Sequence, residues 1–432
     1  MKICVVGLGR IGTPLAAQFA AKGHHVVGVD VNPRIVDHLN AGTEPFPGET
    51  GLADALAAAH AAGTLRATTD HADAVPGADA VVIVVPLLVD EQTWLPDFSI
   101  MDAATAQVAA SLTAGTLVSY ETTLPVGTTR HRWRPLLEQG SGLVEGTDFH
   151  VVFSPERVLT GRVFRDLRRY PKLIGALSAA GAARAREFYE AVLDFDERDD
   201  LPRANGVWDL GSAEASELAK LAETTYRDVN IGLANQFARY AARCGVDIYR
   251  VIEASNSQPY SHIHRPGVAV GGHCIPVYPR LYLSGDPDAT IVRAAREANA
   301  AMPDYTVSLV TAALGGLAGR RVAVLGAAYR GNAKDTVLSG VFPVVAALEA
   351  GGAAVVVHDP FHTPDELRAL GFEPYGRGEA ADAVLVQTDH AAYREWGAVD
   401  VPGAAVLVDG RNVTDPVRWT GLTRIVVGQP AP

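Results

Sequence analysis

The sequence predicts an α/β protein in which two parallel-sheet domains flank a helical middle, and three observations carry that expectation. An apolar run, KICVVG at 2–7, leads into a glycine-rich turn and a helix-like stretch from Pro14 to Lys22, and a second apolar run, HHVVGVD, follows at 24–30. Short apolar runs bounded by turn residues read as buried strands, and strand–turn–helix–strand is the unit from which parallel sheets are built. The same opening returns near residue 320: RRVAVLGAAYRG (320–331) is strand and glycine turn, and AAVVVHDP (353–360) is strand then acid. Between the two, from Ala213 to about Cys244, residues Leu218, Leu221, Thr225, Val229, Gly232, Leu233 and Gln236 fall at three- and four-residue steps, the period of a helix. The predicted fold class is therefore two Rossmann-like parallel-sheet domains joined by a central helical segment with a long helix.

The remaining elements follow in order. ADAVVIVVP (78–86), GTLVSYET (115–122) and FHVVFSP (149–155) read as further strands of the first sheet. DLPRANGVWDLGS (200–212) is polar and turn-rich, the pattern of a connector. The long helix has no proline and one internal glycine, Gly232, and further helix is expected over 247–254 and 288–315. ADAVLVQTD (381–389) and AAVLVDGRN (404–412) supply strands of the second sheet. The expected domains are 1–200, 201–315 and 316–432. A chain of 432 residues suits two or three domains.

Composition narrows the function classes. A net charge of −12 argues against a nucleic-acid partner, which calls for a basic patch, but leaves room for an anionic small ligand held by a few local cations. No apolar run approaches the ~18–20 residues of a membrane helix, and MKICVVGLGR is too short and too quickly glycine-rich for a signal peptide, so a cytoplasmic location and no membrane partner are expected. Three cysteines, Cys4, Cys244 and Cys274, make neither a disulfide framework nor a zinc spacing, and no metal is expected.

Several segments point to chemistry. Gly7, Gly9 and Gly12 fit GxGxxG directly after a strand, with Arg10 and Ile11 completing the turn. The first glycine permits the tight turn, the second lets backbone approach a pyrophosphate at the helix N-terminus, and the third allows close helix–strand packing. Asp30 ends the next strand where an acid bonds a ribose hydroxyl, which favours NAD over NADP; Arg34, if it contacts the adenosine side, would soften that preference. In GGHCIPVYP (271–279), flexible backbone around Cys274 suits an exposed nucleophile that adds to an aldehyde, although free cysteine is just as often a buried core residue. Cys4 and Cys244, in a strand and a helix, are the expected buried counterparts. Lys220 lies in the long helix between Leu218, Ala219, Leu221 and Ala222, so it is either a solvated surface lysine or a partly buried cation that steadies a developing oxyanion. Glu156, after a strand and a proline, is a general base, an N-cap or a surface acid. Thr123 lies in the hydroxyl-rich strand end ETTLPVGTT, suited to holding ligand or water, or simply to a turn. Arg330, Lys334 and Arg411 are either phosphate forks or solvated charges.

Taken together and in order, GLGRIGTPLA, ETTLPVGTT, SPERVLTGR, AKLAETTYRDVNIGLANQ, PGVAVGGHCIPV, GAAYRGNAKD and DGRN resemble the UDP-glucose/GDP-mannose dehydrogenase family over nearly the whole chain, nearest to its branch acting on UDP-N-acetylmannosamine and similar sugars. The resemblance implies an N-terminal NAD domain, a long central helix used for homodimerisation and a C-terminal nucleotide-binding domain. It implies a four-electron oxidation at C6 of a UDP- or GDP-sugar: alcohol to aldehyde, capture by the cysteine, oxidation of the adduct to a thioester, and hydrolysis to the acid. Cys274 matches the nucleophile, Lys220 the cationic stabiliser, Glu156 the acid–base carboxylate and Thr123 the hydroxyl that holds active-site water. Thr123 also borders the cofactor. Tyr329, Arg330 and Arg411, with Arg157, His264, Gly271 and Tyr278, are expected to line the nucleotide-sugar site beside Glu156 and Lys220.

Three positions depart from the family pattern. Thr224 stands where asparagine is usual, Tyr278 where aspartate is usual, and Lys334–Ser339 reads KDTVLS in place of D-D-x-R-E-S. A tyrosine, with a pKa near ~10, is no base at neutral pH. Loss of a general base costs about 10²–10⁴-fold in the assisted step, and loss of an oxyanion donor about 10²–10³-fold, although Thr224 still offers a hydroxyl. Both fall hardest on thioester formation and hydrolysis. The alternative is a two-electron oxidation to a 6-aldehyde, or to a 6-ketone on a sugar extended beyond C6, such as an octose of antibiotic (secondary) metabolism. Rivals of another kind are a non-catalytic nucleotide-sugar-binding protein and a hydroxyacid dehydrogenase, the latter needing neither Cys274 nor a second α/β domain.

Overall fold

The opening unit forms, in a computed structural model whose described residues are 1–90 and 93–430, as strand β1 (Lys2–Val6), the helix Gly12–Ala21 and strand β2 (His25–Val29). Six more strands complete the first sheet: β3 (Leu65–Thr68), β4 (Ala80–Ile83), β5 (Leu117–Tyr120), β6 (His150–Phe153), β7 (Lys172–Ala176) and β8 (Val207–Asp209). Their order is β8-β7-β6-β5-β4-β1-β2-β3. β1 pairs in parallel with β2 (Ile3 opposite Val26) and β4 (Ile3 opposite Ala80), so the strand order reverses direction around it. Crevices at such a switch point, outside the carboxyl ends of the strands, are where open α/β sheets bind ligands. Helices cover both faces, with Leu15, Phe19 and Phe188 in the core on one side and Met101, Val108 and Trp133 on the other.

One pairing breaks the parallel pattern. β7 runs antiparallel to β6, with Val152 opposite Ala176 and Phe153 opposite Gly175, and β8 then lies parallel to β7. β8 falls inside the stretch expected to be a connector. Only three residues, Val207 to Asp209, extend along Lys172–Ile174, and polar neighbours are tolerated at a sheet edge, so a strand this short leaves almost no alternating pattern to read.

The chain divides into two compact units, Met1–Glu223 and Thr224–Pro432. The 31-residue helix Ala213–Arg243 begins in the first and continues in the second. It forms where the periodicity places it, but its buried face lies one step round from the expected stripe. Leu218, Leu233 and Gln236 are exposed, while Ser216, Glu217, Lys220, Leu221, Thr224, Thr225, Asp228 and Asn235 are buried. A polar buried face is invisible to a search for apolar periodicity. Cys244 is also exposed, against expectation: the helix ends at Arg243 and the cysteine lies in the closing turn, its amide donating to the Tyr240 and Ala241 carbonyls. Cys4 is buried in β1 as expected.

The second unit holds a parallel sheet of β9 (Arg321–Leu325), β10 (Ala354–His358), β11 (Ala383–Val386), β12 (Val406–Asp409) and β13 (Thr423–Val426), ordered β10-β9-β11-β12-β13. The helix expected over 288–315 is two, Thr290–Ala300 and Met302–Leu314, because Pro303 lacks an N–H and fits only the first turn of a new helix. A buried polar network ties this region together. Asp228 accepts from the Asn299 amide at 2.8 Å and faces Arg296 Nε at 3.0 Å; Asn235 donates to Asn299 at 2.9 Å and accepts from the Gly267 amide at 2.9 Å. Removing one partner of a buried ion pair strands the other charge. Arg296→Met is expected to lower stability by about 3–5 kcal/mol, measured by urea denaturation.

Candidate active site

The three glycines of the first turn are required for different reasons. Gly7 has φ 92°, in the left-handed region, and a Cβ there would lie 3.0 Å from the Val85 amide nitrogen. At Gly12 a Cβ would lie 1.8 Å from the Gly7 carbonyl oxygen. At Gly9 a Cβ would meet no protein atom within 4 Å, and its φ is not positive. Nothing in the protein forbids a side chain at Gly9, and the open space at the N-terminus of the Gly12–Ala21 helix is of the kind that suits an anionic group such as a pyrophosphate. Asp30, at the end of β2, accepts from the Leu8 amide at 2.8 Å and the Asn32 amide at 2.9 Å, which fixes the acid against the glycine turn. Exposed Arg10 lies 5.5 Å over the Phe46 ring, half-buried Ile11 precedes the helix, and Arg34 is exposed at the second position of the helix Pro33–Asn40, its amide capped by Asn32. These residues fit a dinucleotide cofactor.

A second cluster occupies the carboxyl ends of β5 and β6. Glu121 follows β5, and Glu156 follows β6. Continuing the antiparallel register of β6 and β7 places Lys172 opposite Glu156. Its ammonium lies 2.7 Å from Glu121 Oε2 and 2.9 Å from Glu156 Oε2. The Tyr189 hydroxyl donates to Glu121 Oε1 at 2.7 Å, and the Arg157 amide donates to Glu156 Oε1 at 2.7 Å. Glu156 is thus neither an N-cap nor a surface acid but part of a buried ion cluster. Burial pushes the Glu121 carboxyl up to about 7, against the pull of Lys172. At Glu156 burial acts in the same upward direction, but the charge and hydrogen bond of Lys172 more than offset it, so this carboxyl stays below the ordinary range. Thr123, two residues beyond Glu121, is buried in the turn after β5. Sequence reading missed Glu121, Lys172 and Tyr189, because an acid and a lysine at the rims of strands look like solvated charges until the sheet brings them together.

The helix that carries Lys220 is anchored beside this turn. Glu217, fully buried, accepts from the Gly127 amide at 2.6 Å, the Thr129 amide at 2.9 Å and the Thr129 hydroxyl at 2.6 Å. Lys220 follows one turn later on the same face and is 8% exposed, so it is no solvated surface lysine. Arg157 reaches Glu223 of this helix at 3.0 Å.

In the second unit, Cys274 is exposed at the end of the GGHC loop. A Cβ on Gly271 would lie 2.6 Å from Tyr329 Cβ, and one on Gly272 (φ 92°) 2.8 Å from the Tyr329 ring, while the Gly272 amide donates to the Val337 carbonyl at 2.8 Å. The loop is therefore seated on Tyr329 and on the 334–339 segment that departs from the family pattern. The Cys274 carbonyl accepts the amides of Val277 and Tyr278, which starts the helix Tyr278–Gly285. Thr224 is buried, and the half-buried His264 is held by its amide to Asn230, its imidazole pKa lowered by burial and by Arg227. Arg411 pairs with Asp389 at 3.3 Å, whose carboxylate also takes the Gly331 amide at 3.0 Å; Gly267 leaves the space its guanidinium fills. Arg330, beside Gly331, has a buried Nε with no protein acceptor. Lys334 turns to Glu366 at 2.5 Å. Asp359, which ends β10 as Asp30 ends β2, is fully buried and saturated: it accepts from the Ala327, Ala328 and Phe361 amides and contacts His362 and His390 at 3.0 Å.

A dinucleotide turn and a buried lysine on a long helix in the first unit, and an exposed loop cysteine and a second α/β sheet in the second, are the features of a nucleotide-sugar oxidoreductase. The chain belongs to the UDP-glucose/GDP-mannose dehydrogenase family, whose NAD binding domain matches residues 1–193, central domain 214–301 and UDP binding domain 323–416. It is 35% identical over 425 residues to the UDP-N-acetyl-D-mannosamine dehydrogenase of Pyrococcus horikoshii, covering 96% of each chain, and 32% identical over 435 residues to that of Salmonella typhi, covering 95% and 98%. The solved structure of the Pyrococcus horikoshii UDP-D-ManNAc dehydrogenase superposes with a TM-score of 0.88 at 32% identity over 99% of each chain. The protein is thus an NAD-dependent nucleotide-sugar dehydrogenase. Among the described residues no helix is long and apolar enough to cross a membrane.

The glycine geometry separates folding from binding. Gly9→Ala is expected to keep the melting temperature of the parent within about 2 °C, because its Cβ meets no protein atom. It is expected to weaken NAD⁺ binding at least tenfold, read by calorimetric titration, about 1.4 kcal/mol. Gly12→Ala, forced onto the Gly7 carbonyl, loses about 1–3 kcal/mol of stability.

Proposed function

We propose that the protein oxidises the C6 hydroxyl of a UDP-linked sugar of the N-acetylmannosamine type to the uronic acid, with Cys274 as nucleophile. The observation that carries this reading is the exposure of Cys274 on a loop whose two preceding glycines are packed against Tyr329. NAD, when bound at the Gly7–Gly12 turn, would supply the hydride acceptor, one molecule for each of the two oxidations. Loss of hydride from C6 leaves an aldehyde, the Cys274 thiolate adds to it, a second hydride loss leaves a thioester, and water releases the acid. Lys220 steadies the oxyanions, Glu156 handles the proton, and Thr123 and Thr224 hold water and the reacting oxygen through their hydroxyls. Tyr329, Arg330 and Arg411 bind the nucleotide, GDP being the other candidate, and Arg157, His264, Gly271 and Tyr278 border the sugar. The division into NAD, central and nucleotide domains at about 200 and 315 belongs to this reading, as does a cytoplasmic homodimer. Exposed Leu218, Tyr226, Leu233 and Tyr240, seven or eight residues apart on one helix, support the homodimer, because a stripe of that kind is covered in most helical interfaces.

One observation favours a second reading. From Gly271 to Arg280 the sequence GGHCIPVYPR holds no carboxylate, and the turn closes with the Tyr278 amide on the Cys274 carbonyl. In this reading Tyr278 supplies no base to activate water and Asp335, 3.5 Å from His273, does not replace it, so the reaction stops after one oxidation, at a 6-aldehyde or, on a chain-extended sugar, a 6-ketone of the kind found in antibiotic biosynthesis.

Product mass after incubation with NAD⁺ and a panel of UDP- and GDP-sugars decides between them. The first reading expects gain of one oxygen and loss of two hydrogens; the second expects loss of two hydrogens alone. Cys274→Ser abolishes acid formation in the first and leaves NADH formation largely intact in the second. Lys220→Ala is expected to lower kcat about 10²–10³-fold in either, and full activity would remove Lys220 from the mechanism.

A further inference from the structure

We propose that Lys172 and Glu121 form a proton relay behind Glu156, in which Glu121 is the reserve acceptor that keeps Glu156 ionised through turnover. The proposal rests on Glu156 being the carboxylate that takes the reaction's proton. Glu121 and Lys172 touch neither substrate nor cofactor in this scheme; they are positioning residues.

Three features support it. One ammonium bridges two carboxylates, 2.7 and 2.9 Å away, so a proton passes between them without any side chain moving far. Accessibility is graded: the side chains of Glu121, Lys172 and Glu156 are 0%, 4% and 11% exposed, which makes Glu156 the mouth and Glu121 the closed end. The charges do not balance, since two carboxylates and one ammonium leave a net negative charge out of water, and a buried site of that kind takes up a proton. The groups that face Glu121 are Lys172 from β7, Glu156 from the loop after β6, and Tyr189 from the helix Ala179–Val192; Tyr189 also bonds Ser119 at 2.6 Å, and its ring lies 4.9 Å from the Lys172 ammonium. Burial holds the Tyr189 phenol well above its ordinary value, so it remains a donor to Glu121 and never a competing anion. Of the two carboxyls, Glu121 is raised and Glu156 lowered, which makes transfer towards Glu121 downhill.

The step balances without any electron transfer. Glu156 accepts a proton from the hydroxyl or water it assists. Lys172 gives one N–H proton to Glu121 and receives the proton of Glu156. Lys172 ends as the ammonium, Glu156 as the carboxylate and Glu121 as the neutral acid. Between turnovers the proton returns by the same path and leaves through Glu156. A cluster that served only to hold the sheet together would hold its shape equally well with Glu121 neutral.

The test uses the full-length chain and Glu121→Gln, which keeps the shape and removes the titration, with Lys172→Arg as the conservative control. Below pH 7 Glu121 already carries the proton and the relay is blocked; above it the acceptor is free. The wild-type kcat for NADH formation is therefore expected to rise with pH through a limb near 7. Glu121→Gln is expected to lose that limb between pH 6 and 8 and to lower kcat at pH 8 about 10-fold with KM unchanged, less than the about 10²–10⁴-fold for loss of a general base itself. Lys172→Arg keeps the positive charge but cannot release its proton, so it is expected to lose the limb as Glu121→Gln does. In parallel, ¹³C-glutamate NMR of the protein without substrate is expected to show one side-chain carboxyl titrating near pH 7 that is absent in Glu121→Gln. A folded Glu121→Gln enzyme with the limb and kcat intact, or the absence of any glutamate titrating near neutrality, overturns the relay. Failure to oxidise any nucleotide sugar would sink the proposed function, and the NMR titration would still decide whether Glu121 holds the proton.

Discussion

The reversal of one strand brings together the buried ion cluster of the first unit. Had β7 continued the parallel pattern, its first residue would lie at the amino-terminal edge of the sheet, far from the ends of β5 and β6. Because it runs antiparallel, Lys172 lies opposite Glu156 and beside Glu121, at the carboxyl-terminal edge where doubly wound sheets collect their ligands. A lone buried lysine at such an edge would be costly, and so would either carboxylate by itself; each is tolerable because the others are there. The loops carrying Thr123 and Arg157 are laid out from these two strand ends.

The long helix shows how a polar face is kept out of water. Its buried side carries Ser216, Glu217, Lys220, Thr224 and Asp228, with little of the usual hydrophobic content. Glu217 compensates by receiving two amides and a hydroxyl from the turn after β5, and Asp228 by engaging Asn299 and Arg296. Lys220 and Thr224 lie on this buried face between the two carboxylates that tie the helix to its neighbours.

What was legible in the sequence was what local sterics require. GLGRIG announces its turn because only glycine fits at Gly7 and Gly12, and the recurrence of strand, glycine turn and acid near residue 320 announces a second sheet for the same reason. The length of the helix was legible from the lack of proline, but not which side was buried, since the periodic apolar residues Leu218 and Leu233 face outward. β8 was too short to leave a pattern. The Glu121–Lys172–Glu156 cluster was not legible at all: Lys172 is 51 positions from Glu121, and only the tertiary reversal of β7 sets the register that joins them. In the second unit, GGHC marked an unusual backbone, while its seat on Tyr329 came only with the fold.

The two sheets carry their acids to opposite ends. Asp30 is pinned by two amides and sits beside an open turn, whereas Asp359, at the matching position of the second sheet, is enclosed by three amides and two imidazoles and has no lone pair left for a ribose. An enzyme whose cofactor and substrate each carry a nucleotide faces a sorting problem, because two related domains invite the wrong guest. By turning its acid inward, the second domain keeps the strand, turn and acid layout of its twin while withholding the carboxylate oxygen that a ribose hydroxyl would need.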